Sequence, residues 1–112
     1  MALLTTQSVT RTGLNPVNAV AANAGGDTIR ISDRTMLYVK NADAASKTVT
    51  IDIPGNTSYG APNPEIPVIV AAGAIALIGP IDSVFLQPGT SPGVANITYS
   101  AVTSVTVAAV QL

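Results

Sequence analysis

The chain has 112 residues, 47% of them hydrophobic and only 10% charged, with five Lys+Arg against six Asp+Glu and a formal net charge of −1. High hydrophobicity with few charges is the reverse of the disordered signature, and the length suits one domain with a modest core. His, Cys and Trp are absent, which removes thiol and imidazole catalysis, the commonest zinc sites and any disulfide framework.

In chain order, Leu3 to Val9 and Val17 to Ala22 read as strands, the second ended by Gly25-Gly26-Asp27. The first of these has an equal alternative: an N-terminal arm over residues 1–12, ahead of a single β domain over residues 13–112. Ile29 and Ile31 flank Arg30 in a short strand. Met36 to Lys40 and Lys47 to Ile53 alternate apolar and polar residues with a period of two, which puts one set inside and one outside. The link Asn41 to Ser46 has the length of a hairpin loop, so these two strands are predicted to pair. Pro54-Gly55-Asn56 ends the second, and Pro62, Pro64 and Pro67 make Tyr59 to Pro67 a stiff, extended connection. Sixteen uncharged residues then lie between Glu65 and Asp82. They are shorter than the ~20 apolar residues of a membrane helix and contain Pro67, Gly73, Gly79 and Pro80. The reading is two buried strands joined at Ala71-Ala72-Gly73. Ser83 to Leu86, ending at the turn signal Pro88-Gly89, Ala95 to Ala101 and Val105 to Val110 complete the list. No 3.6-residue pattern runs through ten residues. Seven to nine short strands predict an all-β fold, a small β-sandwich or jelly-roll-like barrel.

The chemistry-bearing residues are sparse. Asp27, Asp33, Asp43, Asp52, Glu65 and Asp82 show no spacing for a glycosidase pair or a calcium loop, and turn chemistry accounts for Asp27, Asp33 and Asp43. Serines and threonines are plentiful but lack an activating base, and Gly25-Gly26 is not followed by the Lys-Ser or Lys-Thr of a phosphate loop. The five cations are scattered, against the clustered Lys and Arg that nucleic acid requires. Met1-Ala2-Leu3-Leu4 lacks the basic region and apolar run of a signal peptide. Tyr99 and Phe85 read as core residues, and Tyr59, beside Gly60, as a contact or a packing residue. No enzyme, cofactor, metal, nucleic-acid or membrane role is expected.

Four pieces carry a family resemblance: Asp33-Arg34-Thr35-Met36-Leu37-Tyr38-Val39-Lys40-Asn41; Lys47-Thr48-Val49-Thr50-Ile51; Val68-Ile69-Val70-Ala71-Ala72-Gly73-Ala74 running into Leu77-Ile78-Gly79-Pro80; and Ile97-Thr98-Tyr99-Ser100-Ala101 with Val105-Thr106-Val107-Ala108-Ala109. Together they span roughly residues 27 to 112. In these the chain resembles the small capsid decoration (structural cement) proteins of tailed double-stranded DNA bacteriophages, departing where Ala71-Ala72 stands in place of an expected proline. The resemblance implies a β-rich virion protein, made in the bacterial cytoplasm, that binds the outside of an assembled capsid. It also implies a homotrimer, with a dimer as the alternative, whose partner is the major capsid protein. Competing readings are a tail, neck or fibre subunit and a carbohydrate-binding β-sandwich module.

Candidate capsid contacts on this reading are Leu3, Leu4, Thr5, Arg11, Arg30 and Arg34, and candidate self-association residues are Tyr59, Pro62, Pro64, Val84 and Leu86. Met1 to Lys47 carries a net charge of +2 and Thr48 to Leu112 one of −3. The expectation is therefore that the N-terminal part faces the capsid and the C-terminal part other copies.

Overall fold

The structure, a computed structural model, describes residues 2–13, 19–55, 58–62, 65–82, 85, 87 and 93–111. Two sheets pack face to face as a β-sandwich. The first has the order β1 (Ala2–Leu3), β4 (Asp27–Arg30), β9 (Val94–Tyr99), β6 (Lys47–Ile51), β7 (Ile66–Val70). The second has β2 (Thr6–Ser8), β10 (Val105–Gln111), β5 (Thr35–Asn41) and β8 (Ile75–Ile78), with β3 (Val20–Ala21) also pairing with β10. Eight of these strands have three residues or more, and β1 and β3 are two-residue additions. Among the described residues each sheet ends in edge strands, and the two sheets pack as the small β-sandwich expected from the sequence.

The period-two pattern places the core as the sequence indicates. Leu37 and Val39 of β5, Val49 and Ile51 of β6, Ala95 and Ile97 of β9, and Val107 and Ala109 of β10 all point between the sheets and are buried. Phe85 is buried with them but lies outside every strand: its N–H donates to the Asp82 carbonyl at 3.1 Å, making a turn. Val84, Leu86 and the Pro88-Gly89 turn lie outside the described residues.

The strand pairing differs from the sequence reading at its clearest point. β5 and β6 do not form a hairpin; they belong to different sheets, and residues 42–46 cross between them. A five-residue link spans the ~10 Å between packed sheets as readily as it returns along one sheet, and an alternating strand is satisfied by either arrangement. Asn41 decides it. Its fully buried Nδ2 donates to the carbonyls of Ala45 (2.9 Å), Val70 (3.1 Å) and Ala71 (3.3 Å), and its Oδ1 accepts from the Asp43 N–H (3.1 Å). One side chain thus ties the β5–β6 crossover to the β7–β8 crossover. The hairpin of this region is instead β6–β7, antiparallel from Lys47 opposite Val70 to Ile51 opposite Ile66.

The uncharged run also departs from expectation. β7 and β8 are edge strands of opposite sheets, joined by a turn in which Gly73 takes a positive φ of 71° and the Ala74 N–H donates to Ala71. They are buried only in part: Val70 is a core residue with Ala76 and Ile78 packed against the core, but Ile66, Ile69, Ile75 and Leu77 are all exposed. Two strands of four and five residues at a sandwich edge have too few covering neighbours to bury both faces.

Residues 2–8, weighed above as arm or strand, are strand in both sheets. β1 runs parallel to β4, the Leu4 N–H donates to Thr28 (2.8 Å), and β2 runs parallel to β10. The chain switches sheets at Leu4, whose side chain enters the core.

Candidate protein-binding surface

Strand directions sort the loops onto two ends of the sandwich. At one end lie the turn before Asp27, the two crossovers held by Asn41, and the β9–β10 turn. At the other lie residues 9–13, the β4–β5 turn over residues 31–34, the β6–β7 loop and the segment after β8.

The Asn41 end is closed by hydrogen bonds. The Ala42 N–H donates to Ser104, and the Asn41 N–H donates to Ala74, both at 2.9 Å. Lys47, itself buried, reaches out to the Asp43 carboxylate at 2.7 Å. That hydrogen bond, with a second from the Ala44 N–H, holds the Asp43 carboxyl below its ordinary value. Asp27, assigned from sequence to a turn, is instead 1% exposed and opens β4. Its Oδ2 accepts from the Tyr99 hydroxyl at 2.7 Å and from the Asn23 N–H at 3.2 Å. Burial, reinforced by this bond to a carboxylate, pushes the Tyr99 phenol well above its ordinary value of 10.0. A single Asp after two glycines gives no sign in sequence that it will be buried.

The opposite end is open. Arg11, Arg30 and Arg34 are exposed there, and among the described residues none of the three is in an ion pair. The Val9 N–H donates to Gln111 (2.7 Å), fixing the path into Arg11, while the Arg34 N–H donates to the Ser32 hydroxyl (3.2 Å) in the turn that presents it. Tyr59 is 98% exposed on the β6–β7 loop, with Pro62 exposed beyond it. A cavity of about 410 Å³ opens at this end beside Arg30, walled by Ser32, Thr35, Gln111 and Thr6. The Thr6 Oγ1 is buried there without a hydrogen-bond partner.

The two candidate sets of the sequence reading therefore mix. Arg11, Arg30 and Arg34 share an end with Tyr59 and Pro62, although the two groups were assigned to different partners. Leu3 is exposed on β1 and Thr5 beside it, whereas Leu4, grouped with them, is a core residue whose side chain is withheld from any partner. Pro64, Val84 and Leu86 lie outside the described residues. The division into a basic N-terminal side and an acidic C-terminal side is not seen. β4 of the first half lies against β9 of the second, and β5 lies between β10 and β8. Interleaved strands cannot segregate halves of a chain onto separate faces.

The two outer faces differ in chemistry. By register, Thr28, Thr48, Thr50, Asn96 and Thr98 share the outside of the first sheet. The outside of the second carries Met36, Tyr38, Leu77, Ala108 and Val110. On the edge opposite β7 and β8, a cavity of about 580 Å³ is lined by Leu3, Leu4 and Val20 together with the polar Gln7, Asn23 and Asp27.

Among the described residues there is no group of three or more acidic side chains placed to hold a metal ion, and no helix long and apolar enough to cross a membrane. Compared with known proteins, the chain matches no family model, no curated protein and no solved structure.

Proposed function

We propose that this chain is a non-enzymatic virion protein that binds the outer surface of an assembled phage capsid and stabilises it by clamping neighbouring subunits. The observation that carries the reading is the open end. Three arginines without ion pairs among the described residues, a fully exposed tyrosine and an exposed proline lie at the same end of the sandwich. Arg and Tyr are the residue types that dominate the energetics of protein interfaces. A clamp needs such a surface on a stiff support and needs no reaction chemistry. The resemblance of the sequence to capsid decoration proteins supplies the partner class: the major capsid protein.

The test is to assemble particles with and without the protein and heat them. Particles lacking it are expected to form normally and to release DNA at a lower temperature, and re-addition of the purified chain should restore resistance. Normal resistance without the protein would overturn the reading. Intact heads with missing tails would transfer it to the tail-subunit alternative.

A further inference from the structure

We propose that the edge of β8, which no strand covers among the described residues, pairs with the β8 edge of a second copy, antiparallel about a two-fold axis at Ala76. The pairing joins the two second sheets into one continuous sheet. This inference concerns self-association alone and stands independently of the capsid reading.

The first support is the direction of the main-chain groups. The Asn41 N–H donates to the Ala74 carbonyl, so the residues of β8 facing β5 are Ala76 and Ile78, opposite Val39 and Leu37. In an antiparallel ladder the hydrogen-bonding residues alternate, and those between them turn their N–H and C=O the other way. Ile75 and Leu77 therefore direct theirs to the open edge. An antiparallel copy centred on Ala76 sets Ile75 against Leu77 of its mate, and Leu77 against Ile75. Four main-chain hydrogen bonds result, using every outward group of the strand.

Side chains agree with that register. Ile75 is 56% and Leu77 61% exposed on the outer face, and the pairing sets each against the other across the axis. Cross-strand apolar pairs of this kind stabilise sheets. A two-fold contact must be complementary to itself, and this edge is.

Charge selects the occupant. Every residue from Ile66 to Ile81 is uncharged, so the wall made by β7, its turn and β8 offers no counter-charge to a charged partner. A second copy, presenting the same uncharged edge, loses nothing by covering it. The contrast with β7 is instructive. The Ser100 N–H donates to Thr48, and the Asp52 N–H to Asn96, so Thr48, Thr50 and Asp52 face β9 while Lys47, Val49 and Ile51 face β7. Their partners Val70, Val68 and Ile66 use up the inner side of β7, which leaves Pro67 and Ile69 turned outward. Pro67 has no N–H, so it costs the sheet nothing and blunts that edge, as proline does on protected edge strands. β8 carries neither proline nor charge.

Size sets the strength. β7 and β8 have five and four residues, so at ~3.3 Å per residue the wall is about 17 Å long, too short to reach the ~800 Å² per partner of a standard interface. The pair should be reversible and concentration-dependent.

Sedimentation velocity of the purified full chain, from ~1 to ~200 µM, reads this directly. The mass is expected to rise from 11.3 kDa to twice that. Leu77→Lys should hold the chain at one copy throughout with an unchanged far-UV circular dichroism spectrum. Because the chain has no cysteine, Ala76→Cys provides a second reading that does not depend on the lysine variant folding. Across the axis the two residues form a close non-hydrogen-bonded pair, at a separation a disulfide spans, so oxidation should give a covalent dimer. A wild-type chain that stays monomeric at ~200 µM overturns the proposal. So does a dimer or trimer that a folded Leu77→Lys variant leaves intact, or an Ala76→Cys variant that associates without cross-linking.

Discussion

The two ends of the sandwich are built on opposite rules. At the Asn41 end, four turns are stitched to one another by side chains that are themselves buried or half-buried: Asn41, Lys47, Asp27 and Tyr99. At the arginine end, Arg11, Arg30, Arg34 and Tyr59 reach into solvent. The difference teaches where the fold is specified and where it is free to vary. Buried polar groups that satisfy one another fix which strands meet, because leaving any of them unpaired is costly. Exposed groups have no such constraint and are free to serve a partner. Substitutions at the two ends should therefore separate stability from binding.

The largest expected loss of stability is at Asn41. Asn41→Ala leaves the Ala45, Val70 and Ala71 carbonyls without their shared donor, that of Val70 within the core. A loss of about 3 kcal/mol is expected from the desolvation cost of unmade buried hydrogen bonds. Urea unfolding followed by circular dichroism measures it. A loss below about 1 kcal/mol would show that water replaces the amide and that the closed end is less closed than its geometry suggests.

Next comes Gly79, where the comparison is sharpened from the other side. This glycine lies at the arginine end, yet a Cβ there would meet Met36 Cγ at 2.8 Å and the Thr35 carbonyl oxygen at 3.0 Å. The following Ile81 N–H donates to that same Thr35 oxygen at 2.8 Å. Gly79→Ala forces the segment off β5 and should cost about 2 kcal/mol by overpacking. The same denaturation experiment reads it, and a neutral result would mean that the segment after β8 shifts freely.

Tyr99→Phe returns to the closed end with a smaller effect. It removes the 2.7 Å bond to the buried Asp27 carboxylate but leaves the Asn23 N–H in place, so a loss of about 1.5 kcal/mol is expected for one hydrogen bond to a charged group. The pH dependence gives a sharper signature. The Tyr99 phenol is raised in the folded chain above the ordinary 10.0, so the unfolded chain releases this proton first as pH rises. Its contribution is complete below pH 10.0 and is lost progressively above it. Melting temperatures from pH 8 to 11 should fall more steeply for the wild type than for Tyr99→Phe.

These cases show what was legible in the sequence. Period two in Met36–Lys40 and Lys47–Ile53 located both strands and their inward residues, because burial of one face is a local property of alternation, although the second strand ends at Ile51. The partner of each strand was not legible. A loop of residues 42–46 is compatible with a hairpin or a crossover, and only a buried amide reaching Val70, 29 residues away, separates the two. Likewise, apolar content made β7 and β8 look buried, because hydropathy does not report whether a strand is central or at an edge. The arginines were visible as residues, but their gathering at one end depends on strand directions that no local pattern contains. Leu4 was misassigned for the same reason: a strand that switches sheets looks like an apolar arm until its neighbours are known.

The smallest stability effects belong to the open end, and there the comparison is decided. Tyr59 is fully exposed, and Arg30 and Arg34 have no ion pair among the described residues, so Tyr59→Ala and Arg30→Ala/Arg34→Ala should change stability by less than about 0.5 kcal/mol. If this end carries the binding energy, the same substitutions weaken attachment to capsids. Truncation of an interface hot spot costs more than ~1 kcal/mol, about a five-fold loss in affinity for each. Co-sedimentation with purified particles measures that loss beside the unchanged unfolding curve. Folded variants that bind as the wild type does would clear the arginine end of this role. The search would then turn to the outer faces, beginning with the threonine-rich surface of the first sheet.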